Sequence, residues 1–169
     1  MRIRQARAQE LKRVVDLYLN GYKDLGNYFY TRRKNAVRYI KWLYRRDRAG
    51  FFVAVENRSG ANADEGDDSG GSGAEDDHRI VGFVASDAFW LSESGRVGAI
   101  HELVVSPTRR NLGIGKTLMN VAIHRFRELG LERVELWVGI TNPAQKFYET
   151  LGFKAEFQSG IWLKMTKVI

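Results

Sequence analysis

The chain has 169 residues, 44% apolar and 12% aromatic, enough to bury one core without staples. It contains no cysteine, which excludes disulfides, thiolate metal sites and a cysteine nucleophile. The formal net charge of +7 is unevenly spread. Residues 60–77, GANADEGDDSGGSGAEDD, carry 7 of the 20 acids and no base, so the remainder sets 13 acids against 27 bases, or +14. Residues 1–50 alone hold 14 bases and 4 acids. Such a body attracts anions: a phosphorylated cofactor, an acidic substrate or nucleic acid. No stretch approaches the ~18 apolar residues of a membrane span, and MRIRQARAQELKR lacks the apolar segment of a secretory signal. The expectation is a soluble, cytoplasmic, single domain over residues 1–169.

Arg2–Ala6 alternates as a short strand, and Gln9–Asn20 has helical spacing through Leu11, Val14, Val15, Leu17 and Tyr18. Residues 22–30 are aromatic and irregular. Asn35–Arg48 reads as a second helix, with Val37, Ile40 and Tyr44 on one side and Leu43 beside them. Phe51–Val55 and Ile80–Ala85 are strands. The acidic run between them has no apolar residue larger than alanine and is expected to be a disordered hairpin insert at 60–77.

Val97–Val105 is a strand. Ile114, Leu118, Val121, Ala122 and Leu129 then recur at helical spacing, with Gly130 as the stop. Arg133–Val138 is a strand. Asn142 and Pro143 open another helix as N-cap and N1, Ala144, Phe147, Tyr148 and Leu151 form its stripe, and Gly152 ends it. Phe153–Phe157 and Ile161–Lys167 close the chain as a hairpin. This alternation indicates a mixed α/β sheet with helices on its faces.

The stretch RRNLGIGKTL, residues 109–118, carries most of the chemistry. A P-loop requires glycine where Arg110 stands, and a dinucleotide fingerprint requires glycine or alanine where Leu118 stands, so both fail. The glycines nevertheless follow a strand and begin a long helix. The N–H groups of residues 111–116 therefore sit where orphan donors and the macrodipole favour an anion. Gly113 and Gly115 allow close approach to the backbone, and Arg110 and Lys116 add charge.

Arg110-x-x-Gly113-x-Gly115, followed by Ala144-x-x-Phe147-Tyr148-x-x-x-Gly152-Phe153, resembles the GNAT superfamily of acetyl-CoA-dependent N-acyltransferases. The asparagine of the second motif is one residue closer to the alanine here, at Asn142. The resemblance implies an α/β (α+β) fold: a mixed, mostly antiparallel sheet of six or seven strands, splayed at its centre between 97–105 and 133–138, with helices on both faces. It implies acetyl-CoA as co-substrate, its pyrophosphate on Arg110, Asn111, Leu112, Gly113, Ile114, Gly115 and Lys116. The pantetheine arm would run along Leu103, Val104 and Val105, with Asn142 as a further contact. Tyr148 matches the tyrosine that protonates the departing thiolate. No metal site is implied.

Acetyl transfer requires a base, because an alkyl amine with pKa ~10.4 is mostly protonated at neutral pH. His101 and Glu102 are the candidates. Strand alternation places Ala99, His101 and Leu103 on one face and Ile100, Glu102 and Val104 on the other. The arylalkylamine branch of the family has a histidine nine residues before the motif arginine, which is His101, whereas the glutamate that others use eleven residues before it is Ala99 here. His101 is favoured. The four tryptophans, 42, 90, 137 and 162, read as core or pocket wall. By the resemblance, Tyr28, Phe29, Tyr30, Phe89 and Trp90 flank the acceptor groove. The sequence leaves open a protein amine, an aminoglycoside or a polyamine as acceptor, in a monomer or homodimer. The basic body favours a protein or peptide over polycations. The alternative function is a nucleic-acid-binding module with a degenerate cofactor site.

Overall fold

The computed structural model describes residues 1–23, 28–57, 78–93 and 95–169. The expected acidic insert at 60–77 lies outside them. Seven strands form one sheet: β1 (Arg2–Gln5), β2 (Phe51–Asn57), β3 (His78–Ser92), β4 (Gly95–Val105), β5 (Arg133–Gly139), β6 (Lys154–Ser159) and β7 (Trp162–Val168). The helices are α1 (Leu11–Tyr22), α2 (Arg33–Arg46), α3 (Ile114–Glu128) and α4 (Ala144–Thr150). The strand order is β1-β2-β3-β4-β5-β7-β6, antiparallel throughout except for β4 and β5. The α/β architecture, the strand count and the splay agree with the sequence-based expectation.

The splay is local and sharp. β4 and β5 run parallel and pair only at Gly98–Val134, Ala99–Glu135 and Ile100–Leu136. Beyond these residues the two strands part. His101–Val105 of β4 and Trp137–Gly139 of β5 are left with unpaired edges facing each other.

Two apolar layers hold the sheet. α1 and α2 cover one face, burying Val14, Tyr18, Ile40 and Leu43 against Phe51, Val53 and Phe83. On the other face α3 and α4 bury Leu118, Met119, Ala122 and Phe126 against Val81, Val84, Val134 and Leu136. The periodic positions read from α1 all reach these layers, as an amphipathic stripe requires. Of those read from α3, Ile114, Leu118 and Ala122 do, whereas Leu129 is exposed and Met119, Ile123 and Phe126 complete the stripe. At Gly98 α3 packs closely on the sheet: a Cβ built there would stand 2.4 Å from the Phe126 ring. Gly98→Ala should therefore cost ~1–3 kcal/mol of stability through overpacking, which urea denaturation measures directly.

One reading is corrected here, and one is narrowed. The strand expected over Ile80–Ala85 continues to Ser92, although Ser86 and Asp87 interrupt its apolar pattern. Both are buried, and both are satisfied: Ser86 Oγ donates to the Gly50 carbonyl at 2.7 Å, and Asp87 Oδ2 accepts from Arg46 Nε at 2.6 Å. Polar residues enter a core strand when partners await them. Of the tryptophans read as core or pocket wall, none is core, and Trp137 and Trp162 line the cavity described below. Trp42 and Trp137 are exposed, and Trp90 and Trp162 are half-buried.

Candidate active site

A cavity of about 650 Å³ opens where β4 and β5 part. His101, Glu102 and Leu103 line it from β4, Trp137–Gly139 from β5, and Tyr148 from α4. The aromatic segment before α2 supplies Tyr28, Phe29 and Tyr30. Tyr28 is held there by its hydroxyl, 2.7 Å from Thr141 Oγ1, and by its ring on Gly139, where a Cβ would collide with it at 2.3 Å.

The alternation expected for β4 fails at one residue. Ala85 pairs with Glu102 and Ser86 with Ile100, so His101 is the extra residue of a β-bulge. Ile100, Leu103 and Val105 pack towards α3, while Val104 packs towards α1 and α2. Glu102 and His101 do not stand on opposite faces, because both meet α2. The Tyr39 hydroxyl donates to Glu102 Oε1 at 2.9 Å, and the Trp42 ring lies 5.8 Å from that of His101.

The two candidate bases have unlike surroundings. His101 is wedged edge-on against Trp42 and Trp90, with Nε2 3.4 Å from Asp87 Oδ2. Burial pushes the Asp87 carboxyl up, but hydrogen bonds from His101, the Phe89 N–H and Arg46 outweigh it and hold it at about 2. Asp87 is thus a fixed anion that engages one ring nitrogen of His101. Glu102 lies on the cavity wall, accepting from Tyr22 at 2.6 Å as well as from Tyr39. Burial pushes its carboxyl up to about 7 even though both hydroxyls pull it down. A carboxyl poised near neutrality is matched to general-base work.

Tyr148 belongs to the α3 side of the sheet, packed against Phe147 and Phe153. The gap between the strands lets it share a cavity with Glu102, which faces the other way. Burial raises its phenol first, and the Glu102 charge raises it further, so the hydroxyl stays protonated at working pH. Among the described residues no hydrogen bond engages it.

The loop before α3 has the form an anion needs. Asn111 (φ 63°) and Gly113 (φ 77°) both adopt left-handed backbone, which turns the chain into the helix. The first bond of α3 runs from the Thr117 N–H to the Gly113 carbonyl. The N–H groups of Ile114, Gly115 and Lys116 are thus without helical partners. A Cβ on Gly113 would meet nothing within 4 Å, so the space in front of the loop is open. The donor set fits a pyrophosphate, and the free β4 edge beside it fits an extended amide-bearing arm. Ile114 and Val104 offer only their backbones to such a ligand, since both side chains are buried. Leu112 is exposed at the loop tip. Arg110 is not a free cation: its Nη2 donates to the Gly21 carbonyl at 2.6 Å, tying the loop to the end of α1. Asn142 Oδ1 accepts from the Ala144 N–H at 2.9 Å at the start of α4, and the residue lines the cavity.

Gly115 gives a clean test of the loop, because a Cβ there meets only ordinary contacts, Phe147 at 3.4 Å and Val105 at 3.7 Å. Gly113 is less clean, since any side chain there strains its positive φ. Gly115→Val should weaken acetyl-CoA binding ~10–100-fold, the worth of one charge-assisted hydrogen bond, with little change in fold. Calorimetry showing undiminished affinity would remove the assignment.

A splayed mixed sheet with an anion cradle at one helix start, opening onto a basic carboxyl and a neutral phenol, defines an acyltransferase that draws on a CoA thioester. Comparison with known proteins gives the same class. Residues 11–153 match the acetyltransferase (GNAT) family, and the chain belongs to it. An uncharacterised N-acetyltransferase of Methanocaldococcus jannaschii is 37% identical over 170 residues; the match covers 99% of this chain and 66% of that protein, so the chain spans about two thirds of its length. One from Archaeoglobus fulgidus is 39% identical over 151 residues, covering 88% of this chain and 89% of the relative. The solved PaiA N-acetyltransferase of Thermoplasma acidophilum, in complex with coenzyme A, shares the fold at 19% identity with a TM-score of 0.71, covering 99% and 98% of the two chains. The chain is an N-acetyltransferase by family, and acetyl-CoA is the co-substrate of that family. Among the described residues no group of acids and histidines is placed to hold a metal, and no helix is long and apolar enough to cross a membrane.

Sequence reasoning missed Tyr22, Tyr39 and Asp87 as partners of the two candidate bases. A signal was present for the tyrosines: Tyr18 and Tyr22 are four apart on α1, and Tyr39 and Trp42 three apart on α2, so each pair shares a helix face.

Proposed function

We propose that the protein acetylates the amine of a peptide or protein by direct attack within a ternary complex, with Glu102 as general base and Tyr148 as proton donor. The observation that carries this reading is the position of Glu102, on the wall of the cavity at the point where β4 and β5 separate. The bound co-substrate supplies the activated acetyl thioester. Glu102 takes a proton from the acceptor ammonium, freeing the nitrogen lone pair for attack. Tyr148 donates its proton to the departing sulfur and recovers one from the acylated nitrogen. The absence of cysteine favours direct transfer over an acyl-enzyme on a thiol.

Two features support a peptide acceptor. The β5 edge over Trp137–Gly139 is unpaired towards the gap, and an extended peptide adds readily to such an edge. Among the described lining residues Glu102 is the only acid, and there is no lysine or arginine. The interior therefore accepts one ammonium group, while the basic body around it repels polycations. A cytoplasmic location goes with this reading, since the acetyl donor is an intracellular metabolite.

Thermal shift with acetyl-CoA, and with DNA in its place, tests the cofactor half: stabilisation by acetyl-CoA alone is expected, as a ligand of the native state raises its stability. Mass spectrometry of a panel of peptides, a polyamine and an aminoglycoside tests the acceptor half. Acetylated peptides are expected, and a product confined to the small amines would overturn the acceptor assignment.

A further inference from the structure

We propose that Tyr22 and Tyr39 are positioning residues for acetyl transfer, clamping the two oxygens of Glu102 so that the carboxylate faces the acceptor as a usable base. The inference rests on the reading of Glu102 as the base. Tyr22 at the end of α1 donates to Oε2 at 2.6 Å, and Tyr39 in the middle of α2 donates to Oε1 at 2.9 Å. Donors on separate helices hold both oxygens, so the carboxylate cannot rotate without losing a bond to one of them.

The clamps are themselves braced. The Tyr22 ring stacks on Phe29 at 5.9 Å and meets Tyr18 edge-on at 5.0 Å. The Tyr39 ring lies 17° from the plane of Trp42 at 6.0 Å and meets Tyr30 at 5.0 Å. The Tyr18 hydroxyl accepts from the Tyr30 N–H at 3.1 Å, which ties the aromatic segment of the cavity wall to the same cluster. Ring packing therefore fixes each hydroxyl before any acceptor arrives, the preorganisation that a supporting shell provides.

The clamps also govern the proton affinity of Glu102. The other titratable groups facing it are Tyr18 from α1, Tyr148 from α4, Tyr28 and Tyr30 from the segment before α2, and His101 from its own strand. β5 and β7 face the cavity with Trp137 and Trp162, which do not titrate. No lysine or arginine lines the cavity among the described residues, and the groups that oppose the cost of burying the charge are the two phenolic donors. Hydrogen bonds to the charged form lower a carboxyl's proton affinity. Each lost donor should raise it.

The test is the pH dependence of kcat/KM in Tyr22→Phe and Tyr39→Phe. Both substitutions keep the ring and its packing. Each should move the acidic limb upwards by about one pH unit, the worth of a hydrogen bond to a charged group, while calorimetric affinity for acetyl-CoA stays unchanged. Tyr44→Phe, on α2 but packed on Phe51 away from the cavity, should leave the limb in place. A limb that is lost in Glu102→Gln yet unmoved in both tyrosine variants would reduce the tyrosines to packing residues and leave the base intact. A limb that persists in Glu102→Gln would remove the base and this proposal with it.

Discussion

Replacing Glu102 with glutamine should lower kcat by ~10²–10⁴-fold, the usual worth of a positioned general base. The variant keeps the size and polarity of the side chain and still accepts one tyrosine hydrogen bond, so the loss reports the proton transfer. In the wild type the carboxyl titrates at about 7. The base acts deprotonated, so turnover should rise as pH climbs through ~7 and fall below it. Glutamine should abolish that limb. A second signature follows from linkage. A carboxyl whose folded value is raised from 4.5 binds protons more tightly in the native state, so its charge destabilises the fold fully above ~7 and not at all well below 4.5. Glu102→Gln should therefore have a higher Tm than the wild type on the basic side, and the gain should vanish towards acid. His101→Ala supplies the contrast. If its profile, rather than that of Glu102→Gln, loses the acidic limb, the base is the histidine that the sequence favours.

Tyr148→Phe should lower kcat at saturating acetyl-CoA by ~10²–10³-fold, as removal of a donor aimed at developing negative charge commonly does. The leaving thiolate has a conjugate acid near ~8.5 by analogy with cysteine, so a neutral phenol is a competent donor. The ring packs against Phe147 and Phe153, and those contacts survive the substitution, so stability should hold. The affinity for acetyl-CoA should change little. A variant with wild-type kcat would make Tyr148 a packing residue of the α4 stripe, the role that its place in the apolar layer suggests by itself.

Much of this site is written in the chain order. The loop at Arg110–Lys116 and the helix carrying Tyr148 were legible because each depends on residues close in sequence. A left-handed glycine before a periodic apolar run makes an anion-binding helix start, whatever lies across the sheet. The strands were legible for the same reason, with one instructive exception. Ser86 and Asp87 looked like the end of β3, yet the strand runs on to Ser92, because Gly50 and Arg46 meet their polar groups from 36 and 41 residues away.

The choice of base shows where local reading stops. The sequence determined that a histidine and a glutamate stand side by side on the strand entering the anion loop. It did not determine which way either side chain points. Strict alternation sends them to opposite faces, and that holds only in a regular ladder. The register between β3 and β4 slips by one residue at His101, a property of the pair of strands and not of either one. That slip brings both side chains under α2, and helix placement then separates them. Trp42 and Asp87 enclose His101, whereas Tyr22 and Tyr39 hold Glu102 on the cavity wall. The proton affinity of Glu102 is decided in the same way. Burial and two donors from distant parts of the chain set it, and these exist only once the helices have packed against the open side of the gap.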